Sequence, residues 1–410
     1  MTKPLRIGLI MQGGRGWVGG IEYIKNIILA LGSLPTEVRS TFELCLICSQ
    51  SLDSTLYNQV RPHLNNIYYQ EVELAPLTLQ NRIRWKIIRT LFKQHNLRFE
   101  SFLVKQNFDF VYPYFSQSVG HKSYRSAEWI ADFQHKHLPQ FFDKQEIKWR
   151  DQLFTLIACH ASTVVLSSKT AKSDLQQFFP EAVHKSKVLS FKASPDHKWY
   201  EANPLQTQQE YSLPDRFFLV SNQFWQHKNH LVLFKALKLL SEKSIHPLII
   251  CTGYIYDFRQ PDYSDTILQT IHKFGIAQQI YLLGLIPRFD QIQLMRRSLA
   301  VIQPSLFEGW STVVEDARTL GKKIILSDIS VHLEQNPPNS IFFECNSPES
   351  LVSLLADWWE HLSPGPDLEQ EDIARTNSNS EVQAFGYRFL EISKEAQYGA
   401  TALAEKAHKK

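Results

Sequence analysis

The sequence predicts an α/β protein built from two doubly wound domains, and three observations lead there. At 410 residues the chain exceeds what one hydrophobic core organises. Short apolar runs alternate with helix-period stretches in two successive series. Between the series, Glu201–Pro214 turns polar and proline-bounded, the composition of a linker. Domains are therefore expected at 1–200 and 215–375, joined by 201–214 and followed by a C-terminal helix and tail at 376–410.

In the first series, strands are expected at Leu5–Met11, Phe42–Cys48, Phe108–Tyr112 and Thr163–Leu166, with helices at Ile21–Leu31, Glu146–Cys159 and Lys169–Phe179. The second series places strands at Phe217–Val220, Pro247–Cys251, Ile280–Leu283, Leu299–Ile302 and Lys323–Leu326. Helices alternate with them near Leu231–Leu240, Tyr263–Phe274, Phe289–Arg297 and Thr312–Leu320. After Asp357-Trp358-Trp359 the chain becomes polar, then reads as helix again from Glu381 to Lys394.

The bulk composition narrows the functional classes. With 43% hydrophobic and 21% charged residues, the chain has the balance of a globular protein, and no apolar run is long enough to cross a bilayer. The N-terminus enters a strand directly, so no secretory signal is expected. Five sparse cysteines suit reduced, buried thiols in a cytoplasmic protein. Cys45 and Cys48 lie in an apolar strand without a second pair, so core packing is expected rather than metal. A net charge of +3 is too small to imply nucleic acid.

The most informative segment is Pro304-Ser305-Leu306-Phe307-Glu308-Gly309-Trp310-Ser311-Thr312-Val313-Val314-Glu315. Pro304 ends a buried strand because proline cannot donate to a ladder. Glu308-Gly309 turns the chain, and a helix follows from Thr312, closed by Gly321. Hydroxyls at a helix N-terminus expose N–H groups suited to phosphate. A carboxylate on each side of the turn suits paired sugar hydroxyls. Phosphate and polyol together are the chemistry of a nucleotide sugar. A solvated loop glutamate and a helix glutamate capping its own first turn would leave the same residues.

Four further segments carry candidate chemistry. Gly13-Gly14-Arg15-Gly16-Trp17-Val18-Gly19-Gly20 follows the first strand, and its glycines let backbone approach an anion. Asp132-Phe133-Gln134-His135-Lys136-His137 follows the apolar run Trp129–Ala131. Histidines two apart in an extended segment point the same way, but no cysteine or acidic cluster completes a ligand set, so no metal is expected. Asn222-Gln223-Phe224-Trp225-Gln226-His227-Lys228 follows a strand, and Lys228 offers a point charge to a diphosphate. Finally, Arg82, Lys86, Arg89 and Lys93 share one helical face beside Trp85, Ile88 and Phe92. That pattern reads either as a membrane-surface helix or as an ordinary surface helix with its apolar side on the core.

In this order and spacing, the segments resemble the motifs of retaining GT-B glycosyltransferases of the group 1 type (glycosyltransferase family 4). The resemblance implies two Rossmann-like domains facing a cleft, acceptor side first and nucleotide-sugar side second. It also implies metal-independent transfer without a cofactor, from a nucleotide-diphosphate sugar to a glycan or lipid-linked acceptor in surface polysaccharide assembly. By resemblance, Glu315 takes ribose hydroxyls and Glu308 the donor sugar. Lys228, Ser311, Thr312 and the Gly19-Gly20 backbone stabilise the diphosphate. Asn222, Gln223, Gly309 and Trp310 complete the donor site, while Asp132 and His135 face the sugar near its reacting carbon. His135, Lys228 and Glu308 form the expected catalytic set.

Two departures stand out. Glu315 follows Glu308 by seven positions where the family usually has eight, and Gln223 stands where the family usually has arginine. Arg15, His227 and Arg288 are candidates to supply the missing charge. The resemblance also suggests peripheral contact of the 82–104 segment with the inner face of a membrane. A non-catalytic partner with a degenerate donor site and a nucleotide-sugar epimerase are the alternative readings.

Overall fold

A computed structural model describes residues 3–14, 17–51, 54–74, 97–115, 123–257 and 259–407. Two compact units emerge. The first comprises 1–131, 150–192 and 381–410, and the second 132–149 and 193–380.

In the first unit, strands β1 (Leu5–Ile10), β2 (Phe42–Cys48), β3 (Asn66–Tyr69), β4 (Phe110–Tyr112) and β5 (Arg125–Ser126) form a parallel sheet in the order β3-β2-β1-β4-β5. A second parallel sheet joins β6 (Glu128–Ile130), β7 (Val164–Leu166) and β8 (Ser186–Val188). Helices α1 (Val18–Gly32), α2 (Leu97–Lys105), α3 (Lys144–His160, of which Arg150 onward belongs to this unit) and α4 (Lys169–Phe178) accompany them. From Ile7 in β1 and from Leu44 in β2 the strands read as continuous apolar runs, because both faces of a doubly wound parallel sheet are covered. Cys45 and Cys48 are buried in β2 as free thiols.

In the second unit, β9 (Phe218–Ser221), β10 (Ile249–Thr252), β11 (Ile280–Gly284), β12 (Val301–Gln303), β13 (Ile324–Ser327) and β14 (Ser340–Phe343) form one parallel sheet. Its order is β11-β10-β9-β12-β13-β14. The chain winds outward from β9 in one direction, then returns beside it and winds outward in the other. Such a reversal opens a crevice at the carboxyl ends of the two central strands, here β9 and β12. Helices α5 (Pro204–Glu210), α6 (His230–Ser241), α7 (Tyr263–Phe274), α8 (Arg288–Arg297), α9 (Thr312–Thr319) and α10 (Pro348–His361) flank the sheet. One apolar layer packs Leu233, Leu237, Ile267 and Leu351 against one face, and another packs Leu294, Met295, Val314 and Ala317 against the opposite face.

Three expectations are corrected. Residues 201–214 are not an irregular linker. Asn203 caps α5 by accepting from the Leu205 N–H (3.1 Å), and Pro204 occupies its first position. Asparagine and proline, read as loop formers, here start a helix. The expected helix at 381–394 is the middle of α11 (Leu368–Ala407), which runs unbroken through Asn377–Ser380. From Glu381 onward α11 belongs to the first unit, where Phe389 packs edge-on against Tyr112 (5.4 Å) and Lys192 pairs with Glu381 (3.0 Å). Residues 132–149, expected in the first domain, group with the second unit. The basic positions Arg82, Lys86, Arg89 and Lys93 lie outside the described residues, as do Arg15 and Gly16. Among the described residues, no helix is long and apolar enough to cross a membrane.

Candidate active site

The site is assembled where β9 and β12 end. Asn222 follows β9, and Gln303 closes β12. Their amides bond reciprocally, Asn222 Nδ2 to Gln303 Oε1 at 2.8 Å and Gln303 Nε2 to Asn222 Oδ1 at 3.1 Å, and both side chains are buried. The loop after β10 closes tightly over Asn222. Gly253 adopts φ +126°, and a Cβ there would lie 2.1 Å from the Asn222 carbonyl oxygen, so only glycine fits.

Lys228 reaches across this junction to Glu308, Nζ to Oε1 at 2.6 Å. The same Oε1 accepts from Ser305 Oγ (2.6 Å) and Gln303 Nε2 (2.9 Å). Burial pushes the Glu308 carboxyl up, but the charge and hydrogen bond of Lys228, together with smaller contributions from His227 and His332, hold the acid down at about 2. Glu308 is therefore a fixed carboxylate, and among the described residues its three donors, Lys228, Ser305 and Gln303, converge on one oxygen. Three histidines surround the pair in neutral form. Burial, reinforced by Lys228, drives His227 well below its ordinary value and His230 down to about 3. Burial also lowers His332 to about 4, and its Nδ1 lies 3.1 Å from Ser327 Oγ. Ser327 in turn donates to the Ser305 carbonyl (2.6 Å), fixing the turn that carries Glu308.

Helix α9 opens beside this pair. Ser311 caps it by accepting from the Val314 N–H (3.4 Å). Gln335 then clasps the same corner. Its Oε1 accepts from the Ser311 N–H (3.0 Å), and its Nε2 donates to the Ser311 carbonyl (3.1 Å) and to Glu315 Oε1 (3.0 Å). Glu315 is only 1% exposed, with Arg318 Nε 3.4 Å from Oε2. At the far end, Gly321 sits at φ +59° while the Lys322 N–H donates to the Ala317 carbonyl (2.8 Å) and the Gly321 N–H to Arg318 (3.1 Å). This is the glycine stop expected from the sequence.

Of the expected donor residues, Asn222, Gln223, Lys228, Glu308, Gly309, Trp310, Ser311, Thr312 and Glu315 all lie along these two strand ends in the second unit. Lys228 occupies a 3₁₀ turn, Gln226–Lys228, ahead of α6 rather than the helix's first turn, because Asn229 takes a left-handed conformation (φ +55°) between them. Asp132 and His135 also belong to the second unit. Asp132 Oδ1 accepts from the Gln134 N–H (2.9 Å), starting the one-turn helix Gln134–His137. That turn buries His135 (1% exposed) and leaves His137 exposed beside the Phe307 ring (5.4 Å), so the two histidines do not point the same way.

Gly19 and Gly20 belong to the first unit. They fall inside the first turn of α1 rather than in the loop before it. A Cβ at Gly20 would meet the Trp17 ring at 2.9 Å, and Trp17 stacks on Trp129 (centroids 5.5 Å), so local packing already requires this glycine. Two proposed sources of extra charge are accounted for: His227 is neutral, and Arg288 pairs with the buried Asp316.

Sequence reasoning missed Gln303, Ser305, Ser327, His332 and Gln335. Gln303, a polar residue closing an apolar strand, was the one visible signal. Ser305 lies within the carboxylate segment without any local sign of its role, and Ser327, His332 and Gln335 come from later elements and show no local pattern.

Two doubly wound α/β units with these sheets give the chain the GT-B fold. Residues 205–369 match the family model of glycosyl transferases group 1, a span that takes in every site residue from Asn222 to Gln335. Among solved structures, HepE of Anabaena in complex with UDP and glucose aligns at 15% identity. The alignment covers 97% of this chain and 100% of that one, with a TM-score of 0.59. Sucrose-phosphate synthase from Thermosynechococcus elongatus aligns at 13% identity, over 98% and 100% of the two chains, with a TM-score of 0.63. A glycosyltransferase from Rickettsia africae aligns at 15% identity, over 96% and 99%, with a TM-score of 0.61. No curated protein matches the chain.

Proposed function

We propose that the protein transfers a sugar from a nucleotide-diphosphate sugar to a glycan or lipid-linked acceptor, with retention at the anomeric carbon and without a metal. One observation carries the reading: an ionised Glu308, locked through Oε1 by Lys228, Ser305 and Gln303, stands at the switch point of the sheet within the group 1 segment. Such a carboxylate has its second oxygen left for donor-sugar hydroxyls. It is too acidic to serve as a general acid.

In this reading Lys228 shifts part of its charge to the departing diphosphate, assisted by Ser311, Thr312 and the N–H groups opening α9. Asn222, Gln223, Gly309 and Trp310 line the donor, and Glu315 takes the ribose hydroxyls. Asp132 and His135 lie on the sugar side, and Gly19-Gly20 adds backbone N–H groups. The bond from the anomeric carbon to the phosphate oxygen breaks while the acceptor oxygen bonds to the same face. The leaving phosphate takes the acceptor's proton, so no protein nucleophile is needed. Assembly of a surface polysaccharide at the cytoplasmic face of a membrane, reached through the 82–104 segment, extends the proposal. Binding of the chain to anionic vesicles tests it.

The main test is thermal stabilisation by a panel of nucleotides and nucleotide sugars, with and without EDTA, since a ligand of the folded state raises the melting temperature by mass action. A selective shift that survives EDTA and vanishes in Glu308→Gln supports the reading. Product with inverted anomeric configuration would refute retention. Two observations favour a second reading, a non-catalytic GT-B protein: Glu315 is engaged by Gln335 and Arg318, and Gln223 carries no charge. Under that reading no member of the panel shifts the melting temperature.

A further inference from the structure

Glu315 and the Ser311 N–H, two groups at the opening of α9 that the proposed donor site uses, are held by one side chain. Gln335 ends the short helix Ser330–Gln335, which stops there because Asn336 turns left-handed (φ +33°) and Pro337 follows. Its Oε1 accepts from the Ser311 N–H at 3.0 Å, the position a phosphate oxygen takes at a helix N-terminus. Its Nε2 donates to Glu315 Oε1 at 3.0 Å, the position of a ribose hydroxyl in the reading above, and to the Ser311 carbonyl at 3.1 Å. A primary amide carries both an acceptor and a donor, so one Gln side chain reproduces both halves of a nucleotide's contact.

Gln335, Ser311 and Glu315 are all buried, so a ligand reaches neither group while the amide is in place. Arg318 Nε stands 3.4 Å from the second oxygen of Glu315, so both carboxylate oxygens are engaged and a ribose diol enters only by exchange. The exchange can be local. The Arg318 guanidinium donates to the Gln335 carbonyl and holds its backbone, while the side chain turns about three bonds of its own.

We propose that Gln335 is an internal competitor of the nucleotide, a gate that swings off Ser311 and Glu315 before the donor's diphosphate and ribose bind there. The inference rests on the glycosyltransferase reading above. A gated site binds through the fraction of molecules whose gate is open, so its apparent affinity is lowered by that fraction. The rival account makes Gln335 a positioning residue that stays in place and holds Glu315 and the Ser311 N–H ready for the ligand.

The two accounts predict opposite signs in calorimetric binding of UDP, ADP and GDP. Without ligand, Gln335→Ala should melt below wild type, because Ser311 and Glu315 lose a buried partner. It should nevertheless bind the preferred diphosphate about fivefold more tightly or better, the equilibrium weight of roughly one net hydrogen bond. A positioning residue would lose stability and affinity together. Gln335→Met, which keeps the volume without the amide, takes its place if Gln335→Ala fails to fold. Equal or weaker binding by the folded variant overturns the gate and leaves the wider reading standing. If neither variant folds, hydrogen exchange of the wild type decides. Uptake across 330–336 should rise when the preferred diphosphate is added, and uptake that is unchanged or lower overturns the gate. Binding of none of the three diphosphates by any folded form overturns both readings.

Discussion

Replacing Lys228 by methionine tests the electrostatics of the site most directly. The wild-type pair holds Glu308 at about 2 against an ordinary value of 4.5, even though burial pushes the other way. At roughly 1.4 kcal/mol per pH unit, that gap is worth about 3 kcal/mol. The figure agrees with the ~3–5 kcal/mol expected when one partner of a buried ion pair is removed. Lys228→Met should therefore lose about 3 kcal/mol at pH 7. The pH dependence should also change sign. In the wild type the folded value lies below the unfolded one, so the contribution of Glu308 is complete above pH 4.5 and lost as pH falls toward 2. In the variant, with Lys228 gone, burial is the largest remaining influence and raises the folded value above the unfolded one, against the weaker hydrogen bonds from Ser305 and Gln303. Its stability is then greatest below pH 4.5 and declines as pH rises. Urea unfolding of both proteins at pH 4, 5.5 and 7 should show the gap widening with pH. Lys228→Met/Glu308→Gln should recover most of the loss, because a neutral amide needs no counter-ion. A loss under about 1 kcal/mol at pH 7, or a gap that does not move with pH, would show that the pair is solvated and the reasoning wrong.

Three more outcomes follow from particular residues. His227, His230 and His332 are held neutral, chiefly by burial, with His230 at about 3 and His332 at about 4. The unfolded chain then binds more protons, and melting temperature should fall as pH drops from 6.5 toward 4. Each histidine contributes up to roughly 1.4 kcal/mol per pH unit, and His332→Asn should flatten the profile by its share. Gly275 (φ +65°) has open space where a Cβ would go, whereas at Gly13 (φ +85°) a Cβ would meet the Trp17 carbonyl oxygen at 2.3 Å. Alanine should cost about 1–2 kcal/mol at Gly275 and clearly more at Gly13, as scanning fluorimetry would register. Arg296 and Glu371 form a buried bidentate pair (2.7 and 2.9 Å), so Glu371→Ala should cost about 3–5 kcal/mol in denaturant unfolding, while replacing both by Met and Leu should cost far less.

Much of this architecture was legible because a doubly wound sheet writes itself locally. Runs such as Leu44–Cys48 and Val164–Leu166 are apolar throughout, and helices such as Tyr263–Phe274 end on glycine. Lys228 and Glu308 were legible by residue type and by place, each just past a strand. What was hidden follows from the same physics. Pro204 and Asn203 look like breakers until their capping role is seen. The polar stretch before Glu381 does not read as helix because helix propensity is a weak prior, which the flanking turns of α11 override. Gln335 and His332 serve Ser311, Glu315 and Ser327 from an element that the local sequence never connects to the carboxylate turn.

The buried amides explain how the junction can open and still hold its shape. β9 and β12 pair at Val301 and Leu219, after which the backbone ladder between them ends. Strands that part leave unpaired polar groups at the point where the crevice begins, and such groups are costly when buried. The Asn222–Gln303 amide pair spans that gap with side chains, and Gln303 passes the constraint on to Glu308 through its Nε2. Ser305, Ser327 and His332 brace the turn from the other side. A Gln303→Leu variant would keep the strand's apolar character but remove both links. Its cost should therefore fall on melting temperature, because the buried Asn222 amide loses its partner, and, under the glycosyltransferase reading, on donor affinity through the geometry of Glu308. Equal donor affinity in Gln303→Leu and wild type would mean that Lys228 and Ser305 suffice to place the carboxylate.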